Sequence, residues 1–206
     1  MAEVVQIDPK LPSSELIDKA TRVLREKGVI IYPTETLYGL GANPLFPEAM
    51  ERIYAIKGRD AAKPIPFLIK DQEMLATLVE EVPLIGRQLM EQYWPGPLTL
   101  IFRAKKGLVP PLQGKDGTIG LRITAHPVAR GIVEAMDAPL ASTSANLAGA
   151  EDLIDGEELA QLFGDQVDLI INAGKVPGQG STIIDLTVEP PRLVREGMIR
   201  GLLTGT

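Results

Sequence analysis

Residues 29–43, VIIYPTETLYGLGAN, constrain the fold of this chain more than any other stretch. The first four residues are apolar and mostly β-branched, which is typical of a buried strand. Pro33 ends this strand, because proline has no N–H to donate to a sheet ladder. The polar residues that follow, together with Gly39 and Gly41, predict a loop. Loops that leave strand ends bind ligands in open α/β sheets, so this loop is either a ligand-binding loop or a plain connection to the next helix.

Strand and helix patterns alternate along most of the sequence. The short apolar run at residues 98–102 predicts a strand, and the amphipathic stretch at 84–93 predicts a helix. Near the C-terminal side, residues 182–186 (TIIDL) and 192–195 (RLVR) predict additional strands. This order is typical of an α/β fold in which helices flank a twisted mixed sheet. Since no repeat, low-complexity segment or linker interrupts the pattern, we expect residues 1–206 to form a single domain.

The composition excludes several classes of site. The chain has 206 residues, no cysteine and one histidine, His126, which excludes disulfides, cysteine chemistry and metal sites built on several histidines. Its net charge of −6 disfavours a dedicated nucleic-acid-binding module, which usually needs a basic face. The N-terminus lacks the basic start and apolar core of a signal peptide, and no apolar run approaches the roughly 20 residues of a membrane span. We therefore expect a cytoplasmic protein with no membrane partner.

A cationic cluster of Lys57, Arg59 and Lys63 lies at the end of a predicted helix. Cations at a helix C-terminus offset the helix dipole, so a capping role is the common interpretation. The alternative is a phosphate clamp, because arginine binds phosphate through two N–H groups and lysine supplies a point charge. The glycine-rich stretches do not fit the standard nucleotide loops. Residues 174–182 lack the Lys-Ser or Lys-Thr of a Walker loop, and residues 39–41 lack the third glycine of a dinucleotide fold.

Arg122 lies within the apolar strand pattern TIGLRI, where a buried guanidinium needs an anionic partner. That partner is either a carboxylate of the protein, in a structural salt bridge, or the carboxylate of a substrate. Residues 139–142 predict a short strand, and the small polar residues at its end (STSAN, 142–146) suit either a turn or the binding of phosphate and sugar oxygens. His126 and the corner at residues 94–97 (WPGP) are expected to be structural.

Seven short motifs occur in a fixed order along the chain. They are PTETLYGLGAN (33–43), Lys57-Gly58-Arg59, WPGPLT (94–99), TIGLR (118–122), STSAN (142–146), GST (180–182) and IDLT (184–187), followed by Arg195. Together they resemble the YrdC-like threonylcarbamoyl-AMP synthases, and the resemblance extends over about residues 13–196. Any one of these motifs alone is weak, whereas seven with this spacing are specific.

The resemblance implies an activity and a set of partners. The family joins L-threonine, bicarbonate and ATP into threonylcarbamoyl-AMP and releases pyrophosphate, with Mg²⁺ accompanying ATP. Separate transferase proteins then move the threonylcarbamoyl group to adenosine 37 of certain tRNAs. The expected protein is thus a nucleotidyltransferase with a YrdC-like α/β fold, a large concave cavity and no metal-binding side chains of its own.

The resemblance also implies the roles of individual residues. The set that would bind ATP combines cations with small polar groups: Lys57, Arg59, Thr118, Ser144, Asn146 and Arg195. Of these, Lys57 and Arg59 would also act in catalysis. The set that would hold L-threonine is Thr34, Arg122, Ser142 and Ser181. The reaction needs no protein nucleophile, because the threonine amine forms a carbamate and a carbamate oxygen attacks the α-phosphate, so catalysis would rest on positioning and charge neutralisation.

Two other interpretations stay open. A YciO-like paralogous branch has a similar length and a similar ending at residues 194–197, but it has lost the motifs that hold Lys57 and Asn146 here. A member of that branch would bind nucleotide or RNA without the synthase activity. The second alternative is a non-catalytic RNA-binding protein, which the acidic composition disfavours, although weak RNA binding is compatible with it. Residues 68–70 also contain no histidine at a place where some relatives have one.

Overall fold

The computed structural model of the chain describes residues 1–8, 11–58, 65–114, 116–147 and 149–203. Ten strands and six α-helices lie within these residues, which confirms the α/β class. The strands are β1 (Glu3–Gln6), β2 (Val29–Tyr32), β3 (Gly39–Ala42), β4 (Phe67–Leu68), β5 (Leu98–Arg103), β6 (Thr118–Arg122), β7 (Leu140–Ser144), β8 (Leu169–Asn172), β9 (Thr182–Asp185) and β10 (Arg192–Arg195). The helices are α1 (Ser14–Arg25), α2 (Pro47–Lys57), α3 (Gln72–Leu78), α4 (Leu84–Tyr93), α5 (Pro127–Met136) and α6 (Gly156–Phe163).

All ten described strands belong to one sheet with the order β1-β8-β2-β3-β7-β4-β6-β5-β9-β10. Four neighbouring pairs are parallel, namely β1 with β8, β8 with β2, β4 with β6, and β5 with β9. The other five pairs are antiparallel. The predicted mixed sheet is therefore confirmed. Strands from opposite ends of the sequence become neighbours, which places motifs far apart in the chain side by side.

The sheet separates two apolar cores. Within β2, Val29 and Ile31 pack into one core, and Ile30 and Tyr32 pack into the other, as the alternation of side chains along a strand requires. The core that holds Tyr32 lies under α1 and α5. The core that holds Ile31 lies under α2, α3, α4 and α6. Helices therefore cover both faces, which explains why the central strands are apolar on both sides.

The predicted loop at Gly39 and Gly41 is instead strand β3, so this prediction was wrong. The glycines are required by packing, since neither has a positive φ. A Cβ at Gly41 would lie 2.6 Å from Tyr32 Cε1, and one at Gly39 would lie 2.8 Å from Tyr32 Cζ. The fully buried Tyr32 ring thus lies across β3, and its hydroxyl donates a hydrogen bond to Ser142 Oγ at 2.7 Å. The glycines make room for this ring.

The strand predicted at residues 139–142 extends to Ser144, so Thr143 and Ser144 belong to a strand and not to the predicted loop. Strand β7 continues to Ser144, and its register with β3 pairs Ser142 with Gly41 and Ser144 with Gly39. Directly paired residues of antiparallel strands point to the same face of the sheet. The two serines therefore share one face with the glycines, beside the hydroxyl of Tyr32.

Candidate functional site

A cavity of about 230 Å³ brings together most of the predicted site residues. Its wall is formed by the turn after β2 and by residues of β3, β4, β5, β6, β7, β9 and β10, with an apolar part that includes Pro66, Leu68 and Ile183. Six of the ten predicted side chains line it: Thr34, Arg122, Ser142, Ser144, Ser181 and Arg195. Motifs separated by more than a hundred residues in the sequence thus converge on one site.

Lys57 and Asn146 do not line this cavity but link two of the motifs beside it. Lys57 is the last residue of α2 and is only 3% exposed. Its ammonium group donates to Ser144 O at 2.6 Å, to Asn146 O at 2.9 Å and to Asn146 Oδ1 at 2.7 Å. Asn146 Oδ1 also accepts the hydroxyl of Ser144, at 2.8 Å. The lysine therefore ties the end of α2 to the turn that carries Ser144 and Asn146.

Two of the predicted residues lie elsewhere or outside the described part of the chain. Thr118 lines a second cavity, of about 330 Å³, together with Tyr54 and Phe67. Its hydroxyl donates to Asp116 Oδ1 at 2.8 Å. Arg59, like Lys63 of the same cationic cluster, falls outside the described residues.

The hydroxyl group of Thr34 builds the turn in which it lies. It donates to Leu37 O at 2.6 Å and accepts the N–H groups of Thr36 and Leu37 at 3.1 and 3.2 Å. Thr36 Oγ1 lies 2.8 Å from Thr34 Oγ1. Because a hydroxyl has one proton and that of Thr34 goes to Leu37 O, Thr36 is the donor in this pair. Thr34 therefore shapes this part of the wall, and the Thr36 hydroxyl keeps an acceptor position for another group.

Arg122 lines the cavity and is held from three sides. Its Nε donates to Gly96 O at 3.0 Å, its Nη1 donates to Thr36 Oγ1 at 3.1 Å, and its Nη2 lies 2.8 Å from Glu35 Oε1. A protein carboxylate was one of the two partners predicted for Arg122, and the structure identifies it as that of Glu35. Since Arg122 also forms part of the cavity wall, a ligand carboxylate can approach it as well.

The carboxylate of Glu35 is also anchored on the side away from Arg122. Oε1 accepts the N–H of Ala125 at 2.9 Å, and Oε2 accepts the hydroxyl of Thr124. Burial by itself raises the pKa of Glu35, but the charge of Arg122 and these hydrogen bonds outweigh it and hold the pKa below its usual value. Glu35 is therefore ionised at neutral pH, and its pair with Arg122 carries no net charge.

Arg195 brings a second guanidinium group to the cavity. Its Nε and Nη2 donate to Ser181 O at 3.0 and 2.8 Å, and Ser181 Oγ lies 2.9 Å from Thr99 Oγ1. Burial is the main cause that lowers the pKa of Arg195; the negative charge of Asp152 acts against it, and the positive charge of Arg122 adds to it. Arginine stays protonated in proteins, and Glu35 neutralises only Arg122. The wall is therefore net positive, which suits an anionic ligand.

Three polar side chains of the site, those of Glu35, Thr36 and Thr99, were not predicted from the sequence. The signal for Glu35 was present, because a buried arginine requires an anion and the PTET motif supplies one. The WPGP corner was expected to be only structural, yet its Gly96 provides the carbonyl oxygen that holds Arg122. Gly96 N–H in turn donates to Ile123 O at 2.8 Å, which fastens the corner to the end of β6.

His126 has the structural role that was predicted for it. It is the residue that precedes α5, and its Nδ1 accepts the N–H of Val128 at 3.3 Å. Burial lowers the pKa of His126, while the nearby charge of Glu35 raises it. The imidazole is thus an N-cap at the start of a helix.

The described part of the chain has neither a membrane-spanning helix nor a cluster of metal-binding side chains. Within residues 1–8, 11–58, 65–114, 116–147 and 149–203, no helix combines the length and apolar character needed to cross a membrane. The same residues contain no group of three or more acidic, histidine or cysteine side chains placed to hold a metal ion.

Known proteins match this chain in sequence and in structure. A family model for the Sua5, YciO and YrdC proteins, described as telomere recombination, matches residues 22–197. A threonylcarbamoyl-AMP synthase of Pyrococcus abyssi is 37% identical over 179 residues, which is 86% of this chain and 53% of that protein. A threonylcarbamoyl-AMP synthase of Chromobacterium violaceum is 37% identical over 187 residues, 91% of this chain and 96% of that one. YciO of Escherichia coli K12 is also 37% identical, over 201 residues, 96% of this chain and 97% of its own length.

The structural comparisons agree with those of sequence. The crystal structure of Pyrococcus abyssi Sua5 complexed with L-threonine superposes with a TM-score of 0.90 at 34% identity, over 95% of this chain and 58% of that one. The crystal structure of Escherichia coli YciO superposes with a TM-score of 0.89 at 36% identity, over 96% of this chain and 97% of that one. The chain thus spans little more than half the length of the Pyrococcus protein but nearly all of YciO.

Proposed function

The chain belongs to the Sua5, YciO and YrdC family, and on that premise we propose that it is a threonylcarbamoyl-AMP synthase. It would join L-threonine, bicarbonate and ATP and release pyrophosphate, which makes it a nucleotidyltransferase. The observation that carries this proposal is the cavity wall, where the guanidinium groups of Arg122 and Arg195 meet several hydroxyl groups and a carboxylate of the protein, that of Glu35, pairs with Arg122. Such a wall fits a carboxylate and a polyphosphate at once.

Arg122 is proposed to bind the carboxylate of L-threonine. Its guanidinium lies in the wall of the cavity, and a charge-assisted hydrogen bond to a carboxylate contributes about 1.5–3 kcal/mol. Ser142 and Ser181 line the same cavity and would bind the other polar groups of the amino acid. Thr34 would contribute through the turn that it shapes, since its hydroxyl is engaged by Leu37 and Thr36.

ATP is proposed to bind along the cationic side of the site. Arg195 and Ser144 line the cavity, and Lys57 and Asn146 hold the turn next to it. Arg59 belongs to this set by its motif. A nucleotide that also reached Thr118 would extend along β6, because Thr118 and Arg122 are the first and last residues of that strand, roughly 13 Å apart.

The proposed chemistry uses the protein to position and neutralise rather than to react. The amine of threonine attacks bicarbonate, with loss of water, or CO₂, with loss of a proton, and gives a carbamate. A carbamate oxygen then attacks the α-phosphate as pyrophosphate leaves. The carbamate and ATP are both anionic, so their mutual repulsion opposes the attack. A wall with two guanidinium groups offsets that repulsion and holds the groups in line.

Mg²⁺ is proposed to arrive with ATP. The one carboxylate described at the Arg122 end of the cavity, that of Glu35, is already engaged by Thr124, Ala125 and Arg122. The wall otherwise offers hydroxyl and carbonyl oxygens, which fit a hard cation held mainly by phosphate and water. When bound, the ion would neutralise charge on the phosphates, and Arg195 would add to that effect.

We also propose where the product is used, in which compartment the protein acts and how many domains it has. Threonylcarbamoyl-AMP is a reactive anhydride, so a transferase that modifies tRNA adenosine 37 would consume it, and we place both steps in the cytoplasm. We also propose that residues 1–206 act as one domain. A single sheet that runs from β1 to β10 supports this.

The test is a measurement of pyrophosphate release from ATP and Mg²⁺, with and without L-threonine and with and without bicarbonate. We expect release to require both, and mass spectrometry to find threonylcarbamoyl-AMP. Arg122→Ala and Arg195→Ala should each lower the rate at least tenfold. Arg130→Ala is the matched control, because the guanidinium of this exposed arginine of α5 pairs with Glu134 and does not line the cavity. A folded protein that binds ATP but releases no pyrophosphate under these conditions would contradict the proposal and favour a YciO-like binding role.

A further inference from the structure

Three groups surround the guanidinium of Arg122, and we name them the Arg122 cradle: the carbonyl of Gly96, the hydroxyl of Thr36 and the carboxylate of Glu35. We propose that Glu35 is a positioning residue, which fixes Arg122 at the cavity wall and does not itself touch the substrate. The identity of the ligand carboxylate, that of L-threonine, rests on the proposed function. The contacts of the Arg122 cradle lie within the protein and do not depend on the proposed function.

The cradle fixes the plane of the guanidinium group. Each of its three nitrogen atoms meets a different partner, with Nε at Gly96 O, Nη1 at Thr36 Oγ1 and Nη2 at Glu35 Oε1. A guanidinium has five N–H donors, so Nη1 keeps one N–H for a ligand beyond the one that Thr36 accepts, whereas Nη2 is buried and meets Glu35 in an ion pair. An arginine side chain is long and flexible, and an arginine held in advance loses less freedom when the ligand binds.

Glu35 is built to stay in place rather than to move aside for a ligand. A carboxylate held by Arg122 alone could compete with the carboxylate of a substrate for the same cation. Glu35 has two further anchors, the hydroxyl of Thr124 on Oε2 and the N–H of Ala125 on Oε1, and neither depends on Arg122. Its side chain is 19% exposed, so little space surrounds it. The geometry therefore favours a fixed charge behind the arginine.

The kinetic test uses Glu35→Gln, which keeps the shape of the side chain and removes its charge. We expect the KM for L-threonine to rise on the order of tenfold, with a smaller change in kcat, because Arg122 becomes less well ordered. Glu134→Gln is the matched control, since Glu134 pairs with an arginine on the exposed face of α5, and it should change neither constant. Glu35→Asp keeps the charge and should retain more affinity than Glu35→Gln.

A double-mutant cycle separates positioning from direct contact. If Glu35 acts through Arg122, then Glu35→Gln should add little to the loss already caused by Arg122→Lys. If the two losses multiply, Glu35 contacts the substrate independently and the proposal is overturned.

A readout that needs no activity is the Nε–H signal of Arg122 in a ¹⁵N-labelled sample. This N–H is buried and bonded to Gly96 O, so it should exchange slowly with water, and its absence in Arg122→Lys assigns it. We expect faster exchange in Glu35→Gln and no change in Glu134→Gln, and an unchanged signal in Glu35→Gln would overturn the positioning role. If the wild-type protein released no pyrophosphate, the proposed function would fail, whereas this measurement would still decide the role of Glu35.

Discussion

Replacing Gly41 by alanine tests whether the Tyr32 ring, rather than backbone freedom, explains the glycines of β3. The new Cβ would lie 2.6 Å from Tyr32 Cε1, 2.9 Å from Ala141 O and 3.3 Å from Leu140 Cδ1. The first distance is 0.8 Å shorter than the 3.4 Å at which ordinary van der Waals contact begins. The ring cannot swing away, because it is fully buried and its hydroxyl is bonded to Ser142. The backbone carbonyl of Ala141 is equally fixed, since β7 pairs with strands on both sides.

Two opposing effects determine how much Gly41→Ala changes the free energy of unfolding. Overpacking of a fixed core costs about 1–3 kcal/mol, whereas loss of glycine from the unfolded chain returns about 0.4–1 kcal/mol. We therefore expect the free energy of unfolding of Gly41→Ala to fall by roughly 1–2 kcal/mol. For a protein of 206 residues this corresponds to a decrease in Tm of roughly 2–8 °C.

Gly120→Ala is the matched control for this prediction. Gly120 also lies in a strand, β6, but its Cβ would meet nothing closer than Pro66 Cβ at 3.6 Å. This variant should be as stable as the wild type or slightly more stable. Urea denaturation followed by circular dichroism measures both, and adding Tyr32→Leu should reduce the harm done by Gly41→Ala. Equal stability of Gly41→Ala and Gly120→Ala would refute the reasoning.

Three further predictions concern the contacts of the site and its support. Lys57→Met leaves the carbonyl oxygens of Ser144 and Asn146 without their donor. A urea titration should show that the free energy of unfolding falls by about 1–3 kcal/mol. An initial-rate assay should show that pyrophosphate release falls at least tenfold. Thr182→Val removes a hydroxyl that accepts the N–H groups of Gly197 and Ile199 and donates to Ile199 O. Limited proteolysis should therefore cut residues 196–203 faster than in the wild type. An unchanged cleavage rate would contradict this prediction. Because the pKa of Glu35 is lowered on folding, its stabilising effect is complete above the unfolded value of about 4.3 and is lost as the pH falls through the folded value. Acid titrations should therefore show a steeper loss of stability below about pH 5 in the wild type than in Glu35→Gln, and parallel curves would argue against it.

Local patterns predicted the helices well. The apolar spacing and flanking residues defined α4 at Leu84–Tyr93, because both signals lie within the helix and its immediate neighbours. The same local reasoning failed for β3, since glycine is depleted in strands and usually marks a turn. What makes Gly39–Ala42 a strand is the Tyr32 ring and the neighbouring β7, and neither is visible in a window of the sequence.

The candidate site was predictable in its residues but not in its connections. The motifs identified Arg122 and Ser181, and a buried arginine implied an anion. That the anion is Glu35, and that Gly96 and Thr36 complete the cradle, depends on the strand order of the sheet. Sequence spacing carries no information on that order, because β4, β6, β5 and β9 become neighbours only through long-range pairing.

The contact between the segment after β10 and the cavity wall has a consequence for synthesis of the protein. A Cβ at Gly197 would lie 2.2 Å from Gly180 O, and the hydroxyl of Thr182 bonds to Gly197 and Ile199, so this segment lies directly against the wall that presents Ser181. A growing chain releases its N-terminal residues first. Arg122 and Glu35 can therefore pair while the ribosome still holds the last strands. The segment that supports Ser181 and Arg195 reaches Ile199, so a ligand that needs this part of the wall would stabilise the domain only late in synthesis.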